Sequence, residues 1–258
     1  VEATALADVG GTPGALRVPR DVAVSAVNAL RRDNIDVAVS YAMEVDHGFS
    51  IPLETLTGSL TRYPVLPIFV SCIQPPFVPF HRARALGEAV GRFATTLSFE
   101  RILFIGTGGL SHDPEFLFPS IENVSDEWRP YILHGNRQTD VPQQSWIDYE
   151  IAAHQQAAPL LADESVPQET YGIKEPWDQA FLKDFCAGDL AKFDDLSPDE
   201  VVKAAGIGAM EILSWIAAAS AMRTATGLAP SEMYQRPCRE IGVGFGIAQA
   251  GPAPGIIA

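Results

Sequence analysis

The sequence predicts an α/β fold, a layered mixed sheet flanked by helices, with a helical C-terminal region. Three observations carry this. Runs rich in β-branched and aromatic residues at 35–41, 65–73 and 101–105 alternate with segments of helical periodicity, the order that lays helices over a sheet. Two of these runs lead toward polar segments that each hold a histidine, and open α/β sheets place their chemistry in loops at strand ends. Residues 150–230 then read as helical.

Taken in order, residues 1–20 are rich in Gly, Ala and Pro and read as irregular. Val22, Val24, Val27 and Leu30 recur at close to helical spacing, which predicts a helix over 21–32. A strand at 35–41 is followed by a loop around His47, then a short helix at 53–60. The run at 65–73 reads as a central strand. Ala83, Leu86, Val90 and Phe93 share one face of a helix over 80–96. The strand at 101–105 ends in the loop Gly106-Thr107-Gly108-Gly109-Leu110-Ser111-His112-Asp113-Pro114. Residues 114–150 mix Pro, Asn, Asp and aromatics with weak periodicity, as a long cover over the sheet would. Ser197, Pro198 and Glu200 form a helix start, with Ser197 as the cap and Glu200 completing a capping box.

The chain has 258 residues, 47% hydrophobic and 19% charged, an ordinary globular composition that argues against disorder. No linker divides it, so 1–258 is read as a single domain. The 18 basic residues against 32 acidic ones give a net charge of −14, and no basic run offers a phosphate-binding surface. Nucleic acid is therefore not an expected partner. Cys72, Cys186 and Cys238 are odd in number and widely spaced, which fits neither a disulfide framework nor a zinc site. A reducing cytoplasm is the expected location, and no signal peptide is visible.

Three residues stand out chemically. His47 and His112 can move protons near neutral pH, and their separation in sequence suggests one site assembled by the fold. Glu211 is the only charged residue between 204 and 222. The glycines, serines and central glutamate in that stretch argue for a buried core helix rather than a membrane span. An unpaired buried carboxylate is costly, so Glu211 needs a metal ion, another cation, a donor network or a raised pKa. A solvent-facing helix side or an arginine salt bridge are the plainer alternatives. Adjacent Ser111, His112 and Asp113 cannot form a hydrolytic triad, and no G-x-S-x-G elbow is present. The glycine loop is not a dinucleotide fingerprint.

Several motifs in order carry a resemblance. Val45-Asp46-His47-Gly48-Phe49-Ser50-Ile51-Pro52-Leu53 matches V-D-H-G-F-x-x-P-L, and Pro64-Val65-Leu66-Pro67-Ile68-Phe69 matches P-V-L-P-x-F. The run from Arg84 to Phe93, the loop from Gly106 to His112, Tyr234-Gln235-Arg236-Pro237 and Gly244-Phe245-Gly246 follow. Together they resemble the type III extradiol ring-cleavage dioxygenases. The match covers most of the chain and is weakest over 114–175.

The resemblance implies Fe(II)-dependent cleavage of a catechol by O₂, the substrate bearing a carboxyalkyl tail. It makes His47 and His112 the proton carriers, one a base and one an acid, with the two roles not distinguished. Asp46 would orient a histidine, while Ser111 and Pro114 would shape the substrate loop. Glu211 would be a metal ligand in a two-histidine, one-carboxylate site. Its segment departs from the family's G-x-E-x-x-x-W by one extra residue after Gly208. The family's two iron histidines would precede Val1, within roughly seventy residues judged by the family's usual length. Arg129, Arg137 or Arg236 are candidates for the tail carboxylate. A homo-oligomer without nucleic-acid or membrane partners is expected. The alternative is a non-catalytic or metal-free member of the fold acting as a binding module.

Overall fold

The computed structural model describes residues 1–3, 11–99, 101–114, 121–134 and 143–251. A small mixed sheet opens the fold. β1 (Glu2–Ala3) pairs antiparallel with β2 (Gly14–Ala15) and parallel with β3 (Glu44–Val45). Ala3, Leu16, Leu53 and Leu60 close a minor core behind it. α1 (Arg20–Arg32) buries Ala26 and Leu30 on the expected face. α2 (His47–Thr57) follows β3 directly.

The main core lies elsewhere. α3 (Phe80–Ala94) crosses α8 (Ile212–Thr226), and the two meet through small residues. A Cβ at Gly87 would overlap the carbonyl oxygen of Ala217, and one at Gly91 would sit 2.8 Å from the Thr224 Cβ. The opposite side of α3 carries Ala89 and Phe93 against Leu30 and Ile35. α8 buries Ile212, Leu213, Trp215, Ile216 and Ala219, so its apolar surface is wider than one stripe. Phe181 and Phe185 of α6 (Glu175–Cys186) pack on Phe193 and Trp215 with ring centroids 5.3–6.5 Å apart. The antiparallel hairpin of β4 (Glu232–Cys238) and β5 (Val243–Gln249) closes the structure.

The fold class is α/β with a helix-rich C-terminal half, as the sequence predicts, but three strand expectations are corrected. Residues 35–41, 65–73 and 101–105 form no ladder with any strand among the described residues. The ladders lie instead at 2–3 and 14–15, within a segment read as irregular, at 44–45, and in the terminal hairpin. Strand propensity reports fit to a packed, paired neighbour rather than a backbone preference. Here these runs lean on helices from one side: Val70 and Cys72 touch the main core, and Val37 and Leu66 the smaller one. Their other sides stay open, with Tyr41 75%, Phe69 77% and Leu103 66% exposed.

Other boundaries move for local reasons. α4 (Arg129–His134) is a short helix inside the expected cover, and α5 (Gln143–Ala162) begins before 150. α7 (Pro198–Ala205) starts after Ser197 as predicted, yet the Ser197 hydroxyl makes no capping bond. The helix foreseen over 204–222 is broken. Gly206 takes φ 85°, ψ 161°, a conformation costly for other residues, and a 3-10 turn (Ile207–Glu211) intervenes before α8. The three cysteines are unpaired. Among the described residues no helix is long and apolar enough to cross a membrane.

Candidate active site

His47 lies at the start of a helix rather than in a loop. Asp46 is the N-cap of α2, and its Oδ1 accepts the Gly48 N–H at 3.0 Å. Gly58 ends the helix in the left-handed region, so the element expected at 53–60 spans 47–57. The signal was present as Asp before an apolar run and Gly after it. The cap presents His47 at the first helical position. Its Nδ1 is buried and has no hydrogen-bond partner among the described residues. Among the described residues the buried Ser50 Oγ, Ser220 Oγ and Gln235 Nε2 also lack a partner, so this atom does not mark a site by itself.

The second histidine is held by the glycine loop. Ser214 Oγ donates to the Thr107 carbonyl, Trp215 Nε1 donates to the Gly108 carbonyl at 3.1 Å, and the Gly109 N–H donates to Glu211 Oε2. Gly108 has φ 139°, and a side chain there would run into Glu211. The loop can therefore lie flat on the start of α8 only as glycine. His112 Nδ1 is 2.8 Å from the Leu110 carbonyl, which accepts its proton. That tautomer leaves Nε2 unprotonated in the neutral ring, 4.0 Å from Glu211 Oε2. The His112 backbone bonds to Ala205 and Gly208 at 3.1 Å each.

Glu211 occupies the junction between the 3-10 turn and α8, not the middle of a helix. Burial raises its carboxyl pKa. His112, the Gly109 N–H and His47 oppose that shift, and the charge of Asp46 adds to it. The fold thus brings Asp46, His47, His112 and Glu211 into one electrostatic neighbourhood. Burial, then the charge of Glu211, push the nearby Cys72 thiol up to about 12, so it is no thiolate nucleophile at neutral pH. Glu211 is half-buried, with His112 Nε2 4.0 Å from its Oε2. No group of three His, Cys, Asp or Glu side chains among the described residues is placed to hold a metal. A full ligand set does not come from the described residues.

Ser111 faces inward. It is fully buried, its Oγ donates to Asp178 Oδ2 at 2.9 Å and accepts the Lys174 N–H at 2.7 Å. Pro114 is half-buried beside His112's loop. Asp178 escaped the sequence reading. An acidic residue on the same helical face as Phe181 and Leu182 was its only signal. Among the candidate arginines, Arg129 donates to the carbonyls of Ile121 at 2.6 Å and Val124 at 3.2 Å, which engages its guanidinium. Arg236 is exposed on β4, and Arg137 lies outside the described residues.

The half-buried Glu211 thus has His112 beside it and His47 within electrostatic reach, under a glycine loop in an α/β frame. The family described as the catalytic LigB subunit of aromatic ring-opening dioxygenase matches residues 12–246, and this chain belongs to that family. It is an extradiol dioxygenase. The chain is 37% identical over 256 residues to a 2,3-dihydroxyphenylpropionate/2,3-dihydroxicinnamic acid 1,2-dioxygenase of Azotobacter vinelandii, covering 96% of this chain and 77% of that protein. It is 38% identical over 260 residues to one from Dechloromonas aromatica, covering 98% and 77%. A Pseudomonas putida relative of the same description is 37% identical over 242 residues, covering 93% and 74%.

Proposed function

We propose that this protein cleaves a catechol bearing a carboxyalkyl tail, such as 2,3-dihydroxyphenylpropionate, beside its two hydroxyls, using O₂ and Fe(II). The observation that carries the reading is Glu211 set 4.0 Å from His112 Nε2 and within electrostatic reach of His47. Glu211 would be one ligand of the iron. When bound, the metal lowers the pKa of a catechol hydroxyl and brings substrate and O₂ together. The chain's own part is proton handling. His112, with Nδ1–H fixed on Leu110, presents Nε2 to take or return a proton. His47, the first residue of the helix that Asp46 caps, presents a half-exposed ring whose buried Nδ1 has no partner among the described residues. Between them one ring removes the second hydroxyl proton and the other protonates the departing oxygen. The names of the relatives support the substrate class. Residues 1–258 act as a single catalytic domain of a cytoplasmic homo-oligomer.

The test is iron content and aerobic turnover of 2,3-dihydroxyphenylpropionate on the protein as its source organism makes it. The expected result is about one iron per chain, a coloured ring-opened acid, and a loss of about 100-fold or more in His47→Ala and His112→Ala. Iron-free protein that binds the catechol unchanged would replace this reading with that of a binding module.

A further inference from the structure

Asp178 has no exposed surface, and burial pushes its carboxyl up to about 6. Among the described residues no lysine or arginine pairs with it. Both oxygens go to one residue: Oδ1 accepts the Ser111 N–H at 2.8 Å and Oδ2 accepts the Ser111 hydroxyl at 2.9 Å. Gly244 makes room for this, since a Cβ there would overlap Asp178 Oδ2. Gly244 also pairs with the same loop. Its carbonyl accepts the Leu110 N–H at 2.9 Å and its N–H donates to the Ser111 carbonyl at 2.7 Å. An apolar side chain there would leave the buried Ser111 N–H and hydroxyl without their acceptor. What a carboxylate adds is a two-point grip on the backbone and side chain of a single residue.

That residue sits between the two ends of the bond that orients His112. The Leu110 carbonyl precedes it and the His112 ring follows it. Any rotation at Ser111 would move both, and with them the 4.0 Å approach of His112 Nε2 to Glu211. We propose that Asp178 is a positioning residue for the His112 ring, acting through Ser111. This rests on the reading of His112 as a proton carrier. Asp178 touches neither substrate nor metal in this scheme.

The test uses the iron-loaded protein with Asp178→Asn and Ser111→Ala. Asp178→Asn keeps the shape of the side chain but cannot accept the Ser111 hydroxyl proton with its amide nitrogen. Ser111→Ala removes only the hydroxyl, so it carries the test if the first variant folds poorly. Each should lower kcat by about 10- to 100-fold, the scale of a small misplacement of a reacting group. KM for 2,3-dihydroxyphenylpropionate should stay within about threefold. The double variant should be no worse than the weaker single one, because the two residues act as one unit. In metal-free protein carrying isotope-labelled histidine, the Nδ1–H resonance of His112 should be protected in wild type and lost in both variants. Wild-type kcat in both variants beside an inactive His112→Ala would overturn this proposal and leave the proton-carrier reading standing. An active His112→Ala would overturn that reading itself. A lowered melting temperature with unchanged kcat and an unchanged His112 resonance would reduce Asp178 to a structural group.

Discussion

Asp178 carries a pH signature that can be read without any assay of turnover. Its carboxyl moves from an ordinary 3.8 to about 6, chiefly because burial penalises the charge, with the Ser111 bonds pulling the other way. Between those values the folded chain binds this proton and the unfolded chain does not. The stabilising contribution is therefore fully present below 3.8 and is lost as pH rises through about 6. Wild type should gain stability relative to Asp178→Asn as pH falls from 7 to 4, measured by urea unfolding at each pH. A difference that is flat, or that grows with pH, would contradict the burial. Glu211 makes a second residue-scale prediction. Glu211→Gln removes the charge a metal needs, so iron per chain should fall at least about tenfold while the circular dichroism spectrum holds. Retained iron would dismiss Glu211 as a ligand. His47, His112 and Glu211 stood out in the sequence because each is a polar residue in an unexpected setting, and the roles given them are proposals. Asp178 did not stand out, because its meaning lies in Ser111, a partner remote in the chain.

At the scale of elements, two glycine contacts decide how closely the helices and the loop can approach. Gly87→Ala would drive a methyl group into the Ala217 carbonyl and separate α3 from α8. Overpacking of this kind costs about 1–3 kcal/mol, which thermal or denaturant unfolding would detect. An unchanged midpoint would mean the two helices can slide apart freely. Gly108→Ala adds strain at φ 139° and a collision with Glu211. It should therefore reduce iron content and stability together, whereas Gly87→Ala should spare iron content in whatever fraction folds. The helices themselves were legible because an amphipathic pattern reports its own buried face. Their breaks were not: Gly206 interrupts α7 and the following turn through a backbone angle, which leaves no mark on apolar periodicity.

The whole molecule shows uneven order of contact. α8 is enclosed on several sides, while 66–72 and 101–105 have no ladder partners among the described residues. In the 258-residue chain alone, amides of those two segments should exchange with deuterium far faster than those of α8. Slow exchange there would mean that something pairs with them. The same contrast divides what the sequence could tell from what it could not. The sequence by itself determined the α/β class, the helical C-terminal region and the acidic balance without a basic run. These follow from composition, periodicity and residue type, which are local. Only the tertiary structure decided which extended runs pair, where the helix before Glu211 breaks, and that Asp178 reaches Ser111 beside His112. Strand pairing and side-chain convergence are contacts between distant residues, so their energies depend on neighbours that no local pattern specifies.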